Sequence, residues 1–245
     1  MITSLDNPRV KDVLRLRKSR ERRRSGLFVA EGRREVERAR AAGLAIQATY
    51  VAPALIEWPH DGAEEVSDRV LAKMAYRAEP EGVLAIVEAP RHALPQHGTL
   101  YLVCVGIEKP GNLGAMARTA AAAGADALVV ADAQADAFNP NAIRASTGAV
   151  FTLPVVEATL DEIAQLDVQL VAATVDAQQR YTDADLTQPT ALAVGAEDEG
   201  LDGRWRDAAD AHVTIPMPGA AATVDSLNAA TSAAILLFEA VRQRA

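Results

Sequence analysis

Four short apolar runs, at residues 100–105, 127–130, 170–174 and 191–194, are separated by longer stretches of helical spacing. No other feature constrains the fold of this chain as strongly. A strand buried on both faces reads as a continuous apolar run, and helices between such strands are the crossovers that a parallel sheet requires. The second half of the chain is therefore expected to be an α/β domain with a parallel sheet. In its first helix Leu113, Met116, Ala117, Ala120 and Ala121 share one face, with Asn112 placed to cap the start and Gly124 to close the end. Thr159 and Glu162 have the spacing of a capping box, and residues 228–244 read as a final helix packed on the sheet or on a partner.

Ahead of this domain, residues 1–88 read as a smaller α/β unit. The spacing predicts one basic helix over 7–24, strands at 27–30, 46–51 and 83–87, and helices at 33–42 and 66–74. Residues 88–99 carry two prolines and a glycine and read as the linker. The expected domains are thus 1–92 and 98–245. Net charge divides along the same line. Residues 1–43 hold 13 Lys and Arg against 6 Asp and Glu, a balance of +7, so the rest must carry −15 to reach the net −8. Only the first stretch suits a polyanion such as RNA, and with 4% aromatic residues extensive base stacking is not expected. The alternative for residues 7–24 is an ordinary solvated helix.

No apolar run approaches the roughly 20 residues that cross a bilayer, and charge begins close to Met1, so a cytoplasmic protein is expected. The single cysteine, Cys104, lies within an apolar run and is expected to pack rather than react. The four histidines, His60, His92, His97 and His212, share no segment with another reactive group, and no cluster has metal-ligand spacing.

Three glycine-bearing segments remain as candidates for chemistry. The first, residues 108–124, ends a strand and opens a helix. At about 100° per residue Arg118 lies roughly 140° from Leu113, off the apolar face and near the helix start, where amides and dipole favour phosphate. The second, residues 193–201, sets Glu197, Asp198 and Glu199 between Gly195 and Gly200 just after an apolar strand, so that a ligand can approach the backbone. The third, residues 213–228, runs from a strand-like stretch through a proline-glycine turn to Ser226, Leu227 and Asn228 at the start of the last helix. Each segment alone equally describes a structural turn, a solvated acidic loop or a helix cap. A nucleotide-binding turn at Gly111–Gly114 is a further alternative.

Together, and in this order, the segments resemble the three motifs of the SpoU/TrmH branch of the SPOUT RNA methyltransferases. Asn112, Gly114 and Arg118 match the first motif, Gly195, Glu197 and Gly200 the second, and Ile215 to Met217 with Ser226 to Asn228 the third. Residues 139–154, with Arg144, Ser146 and Gly148, resemble a supporting motif. Residues 3–11 and 28–36 resemble the small RNA-binding domain, related to a ribosomal-protein fold, that precedes many members' catalytic domain. Two departures stand out: a longer turn between Met217 and Ser226, and Asn141 where members often have lysine.

The resemblance implies a deep trefoil knot, where periodicity alone leads to a Rossmann-like sheet. It also implies a homodimer and methyl transfer from S-adenosyl-L-methionine to a ribose 2′-hydroxyl of structured RNA. Ribosomal RNA is the expected substrate. The alternatives are transfer RNA, or a catalytically silent RNA-binding or ribosome-assembly protein with the same fold. By resemblance Arg118 is the catalytic arginine, with Asn112, Glu197, Ser226 and Asn228 in support. The cofactor contacts are Gly195, Gly200, Ile215, Met217 and Leu227. No metal is required, because the sulfonium is already activated. Arginine is a poor base by its reference pKa, but its fork clamps a phosphate in two places and can orient the hydroxyl.

Overall fold

The computed structural model describes residues 1–219 and 225–245. The chain forms two compact units, one of Met1–Arg91 with Phe138–Thr152 and one of His92–Ala137 with Leu153–Ala245.

The first unit begins with α1 (Pro8–Arg15), α2 (Ser19–Ser25), β1 (Leu27–Glu31), α3 (Arg33–Ala41), β2 (Ile46–Val51), β3 (Glu64–Glu65), α4 (Asp68–Met74) and β4 (Val83–Glu88). The strands form one sheet in the order β1-β4-β2-β3, antiparallel except for the parallel pair β2–β3. The single basic helix expected over 7–24 is two helices. Asn7 caps α1 by accepting the amide of Arg9 at 2.9 Å, and Val10, Val13 and Leu16 reach the core. Beyond Leu16 no apolar residue follows until Leu27, so the same line has nothing more to bury and the chain turns. Arg22 is itself buried, and its guanidinium donates to the carbonyls of Leu16 and Arg17 at 2.7 and 2.9 Å, which satisfies the open end of α1. One arginine expected to face a polyanion is therefore structural.

The second part of the chain contains β5 (Leu100–Val105), α5 (Pro110–Ala122), β6 (Ala127–Ala131), α6 (Pro140–Ser146), β7 (Val155–Glu157), α7 (Leu160–Ile163), β8 (Gln169–Ala173), β9 (Gln179–Arg180), β10 (Thr190–Val194), α8 (Gly203–Ala208), β11 (Ala211–Thr214) and α9 (Ala229–Arg244). Of these, α6 belongs to the first unit. There Phe28 of β1, fully buried, stacks against Phe138 at 5.0 Å and Phe151 at 5.5 Å between ring centroids. Burying a phenylalanine contributes about 1.5–3 kcal/mol, enough to draw this excursion onto the first sheet.

The seven strands of the second unit are all parallel, in the order β7-β6-β5-β10-β8-β11-β9. Strands β5, β6 and β10 are buried along their whole length, as their unbroken apolar runs require. Thr159 and Glu162 form the expected capping box, with the Thr159 amide donating to Glu162 at 2.8 Å. Because the sheet is parallel, the C-terminal ends of β5, β8, β10 and β11 lie on one edge. Ligands of open α/β sheets gather at such an edge.

Candidate active site

Helix α5 leaves the end of β5 with Leu113, Met116, Ala117 and Ala120 buried, whereas Ala121, expected on that face, is exposed. Its first position is Pro110, which has no amide to satisfy, and Lys109 stands at the N-cap without a side-chain capping bond. Asn112 is thus inside the first turn and is not the expected cap. Its amide is free to reach out, and Nδ2 donates to Glu197 Oε1 at 2.7 Å.

Glu197 is the hub of the site. Asn228 Nδ2 also donates to its Oε1, and Lys109 Nζ pairs with its Oε2. Asn228 Nδ2 lies 3.3 Å from Asn112 Oδ1 as well. Residues from all three glycine-bearing segments therefore meet at one carboxylate. Lys109 first, and the Asn112 amide after it, hold the Glu197 carboxyl below the usual carboxylate range against the opposing effect of burial. With both oxygens engaged, the Glu197 carboxylate ties the starts of α5 and α9 to the 195–200 loop. The same pairing raises the Lys109 ammonium above its ordinary value.

Asn228 has two tasks. Its Oδ1 caps α9 by accepting the amides of Ala230 and Thr231 at 3.0 and 3.2 Å, while its Nδ2 makes the bond to Glu197. The helix cap and the contact with the other two segments thus coincide in one side chain. Arg118 is exposed on α5, away from the buried face, and its guanidinium has no hydrogen bond or ion pair to any described residue. Cys104 is buried, with its thiol pushed well up by burial and its sulfur 3.9 Å from that of Met116, as a packing residue should be.

Beside the hub lies a cavity of about 310 Å³, whose walls include Gly195, Gly200, Ile215, Met217, Ser226 and Leu227. All five residues expected to meet a cofactor thus line one space. Gly195 is required there by close packing: a Cβ at this position would stand 2.2 Å from the Gly200 carbonyl. Gly200, at φ +66°, turns the chain so that its amide donates to Ala196 O at 2.9 Å. Ser226 faces the cavity but bonds to neighbouring Asp225 at 3.3 Å and does not join the Glu197 cluster. The longer turn before Ser226 includes residues 220–224, which lie outside the described residues.

Three residues of the site escaped the sequence reading. Lys109 precedes Asn112 by three positions in the first segment, a spacing that places both at one helix start. Thr174, just after β8, and Arg206, on α8, also line the cavity but sit in no glycine-bearing segment and carried no signal.

Residues 99–238 match the SpoU rRNA Methylase family. The chain belongs to that family. Ahead of this region, residues 7–85 match the MRM3-like substrate binding domain. Among curated relatives, the 23S rRNA (guanosine(2553)-2′-O)-methyltransferase RlmP of Bacillus subtilis is 32% identical over 97% of this chain and 97% of its own length. The 23S rRNA (uridine(2479)-2′-O)-methyltransferase of Streptomyces viridochromogenes is 38% identical over 67% of this chain and 61% of its own. Among solved structures, the SpoU methyltransferase AviRb from Streptomyces viridochromogenes in complex with the cofactor AdoMet superposes with a TM-score of 0.86. It is 31% identical and covers 97% of this chain and 98% of that one. An RNA 2′-O ribose methyltransferase superposes with a TM-score of 0.85 at 42% identity, over 99% of this chain and 98% of that one.

Proposed function

We propose that this SpoU-family chain transfers a methyl group from S-adenosyl-L-methionine to a ribose 2′-hydroxyl of ribosomal RNA. The observation that carries the proposal is the meeting of Asn112, Glu197 and Asn228 beside a cavity, with Arg118 exposed on the same helix as Asn112. The names of the relatives support the reaction and the RNA class.

The cavity fits the cofactor. Its volume falls within the roughly 300–1,000 Å³ of small-molecule sites. Gly195 and Gly200 bring main chain to the cavity wall, while Ile215 and Leu227 offer apolar walls to a flat heterocycle. Gly195, Gly200, Ile215, Met217 and Leu227 would hold it, largely through main chain. When bound, it supplies a methyl group already activated by its sulfonium. The protein's own work is then orientation and exclusion of water. Arg118, a planar fork with no competing partner among the described residues, clamps the phosphate beside the target ribose and stabilises negative charge developing on the hydroxyl oxygen. Glu197 ties the starts of α5 and α9 to the 195–200 loop, so that Arg118 and the cavity keep one geometry. Ser226 supports the ribose or cofactor from the cavity wall.

Residues 1–92 act as an RNA substrate-binding domain of the ribosomal-protein type and residues 98–245 as the methyltransferase domain. The strand order that inserts β10 between β5 and β8 supports a trefoil-knotted second domain. A homodimer belongs to the same reading, with the exposed Phe238 of α9 as one candidate contact. Ribosomal RNA as substrate supports a cytoplasmic site of action; among the described residues, no helix is long and apolar enough to cross a membrane.

The test is transfer of labelled methyl groups to ribosomal RNA, with 2′-O-methylation mapped in cells with and without the gene. Loss of one ribose methyl on gene deletion is the expected result. An intact fold that gives no calorimetric heat with S-adenosylmethionine would overturn it in favour of a silent RNA-binding protein, and a methyl lost only from transfer RNA would move the substrate.

A further inference from the structure

The cavity is lined by four carboxylates, Glu197, Asp198, Glu199 and Asp225, and, among the described residues, by a single cation, Arg206. Arg206 lies on α8, which is held at several points. Asp202 caps the helix by accepting the Trp205 amide at 3.2 Å, and the buried Trp205 indole donates to Asp132 at 3.0 Å. Near the helix end, the Arg206 carbonyl bonds to His212 Nε2 of β11 at 2.9 Å. The position of the Arg206 backbone is therefore fixed by the sheet. Its guanidinium pairs with Asp176 at 2.6 Å, but both groups are well exposed, at 41% and 57% of the side chain. A solvated pair of this kind contributes little by itself, and Arg206 has further N–H groups beyond the one engaged. Thr174 also lines the wall, and its Oγ1 is buried.

S-adenosylmethionine carries one anionic group, the α-carboxylate of its amino-acid end. Resting on the proposed cofactor site, we infer that Arg206 receives this carboxylate, with Thr174 able to donate beside it, and so makes α8 the element that selects for the amino-acid end of the ligand. Asp176 then serves only to steady the guanidinium through their exposed pair. Charge complementarity favours this placement, because Arg206 is, among the described residues, the one cation in a wall whose other charged groups are carboxylates.

The test is calorimetry on the full chain with two ligands. S-adenosylhomocysteine has the amino-acid end, and 5′-methylthioadenosine lacks it. Wild-type protein is expected to bind the first more tightly. Arg206→Ala should weaken S-adenosylhomocysteine about tenfold, the scale of one charged hydrogen bond at a partly exposed site, and leave methylthioadenosine unchanged. Arg206→Lys should recover part of the loss. Asp176→Asn, which breaks the same surface pair while keeping the cation, controls for structural damage and should retain most of the S-adenosylhomocysteine affinity. Equal loss of both ligands in Arg206→Ala, or no loss of either, overturns the inference while leaving the methyltransferase proposal in place. Wild-type protein that binds neither ligand overturns the proposed function itself.

Discussion

Replacing Gly195 by alanine tests whether close backbone packing builds the cavity. An added Cβ stands 2.2 Å from both the carbonyl carbon and oxygen of Gly200 and 2.6 Å from the Leu201 amide nitrogen. All three are main-chain atoms, so no flexible side chain can swing aside. Ordinary contact begins at 3.4 Å, which means the two sides of the 195–200 loop must part by about 1.2 Å (3.4 less 2.2). The Gly200-to-Ala196 bond, now 2.9 Å, cannot survive that displacement. Losing it costs about 0.5–1.5 kcal/mol, and overpacking adds about 1–3 kcal/mol. At roughly 2–4 °C per kcal/mol for a chain of this size, the melting temperature should fall by about 3–18 °C. Because Glu197, Gly200 and Leu201 all move with the loop, S-adenosylhomocysteine affinity should fall at least about tenfold by calorimetry, the equivalent of one lost hydrogen bond. Gly203→Ala is the control, since a Cβ there meets nothing within 4 Å and the residue begins α8, where alanine is favourable. Gly195→Ala protein with wild-type melting and wild-type affinity would refute the idea that this contact shapes the site.

Arg118→Ala should remove most methyl transfer to RNA while leaving S-adenosylhomocysteine affinity unchanged; equal loss of both in the two assays would contradict its role toward the RNA. Glu239, buried on α9, is held down to about 2 by hydrogen bonds from Arg242 and then Gln243. A depressed carboxylate stabilises the fold fully above its unfolded value near 4.5 and loses that contribution as pH falls toward 2. Glu239→Gln should therefore melt a few degrees lower than wild type at neutral pH, about 1 kcal/mol of charged hydrogen bonding, with the gap closing below pH 4.5. A gap that stays constant down to pH 2.5, on the order of the folded value, would count against the assigned cause.

The strands of the second unit were legible because both faces are buried: residues 100–105 match β5 to the residue, and 191–194 fall one short of β10. The strand order was not legible. Nothing in a local apolar run says which neighbour it will pair with, and β10 lies between β5 and β8 because of long-range packing. Short elements such as β9 and β3 were missed, since two residues carry no period. The basic helix was misjudged at Leu16, where charge density suggested continuity but the apolar stripe had ended. Within the site, the motif residues were visible as types and spacings, whereas Lys109 and Arg206 acquire meaning only through partners 88 and 30 positions away.

The double task of Asn228 allows stability and function to be separated at one position. Serine caps helices about as well as asparagine, so Asn228→Ser should keep the amides of Ala230 and Thr231 satisfied and melt within about 0.5 kcal/mol of wild type. It has no second donor to span the distance to Glu197, however, and the junction of α9 with the 195–200 loop is lost. Methyl transfer and S-adenosylhomocysteine affinity should drop although the fold does not. Asn228→Asp keeps the cap, and favours the helix dipole, but sets a second carboxylate against Glu197 Oε1 and should impair transfer more than serine does. Asn228→Ala loses cap and junction together and should cost about 1 kcal/mol besides. The order of activity, wild type above serine above aspartate, with stability lowest for alanine, follows only if the side chain works through its amide as well as its carbonyl. Full activity in Asn228→Ser would reduce Asn228 to a helix cap and leave Asn112 and Lys109 as the partners that hold Glu197.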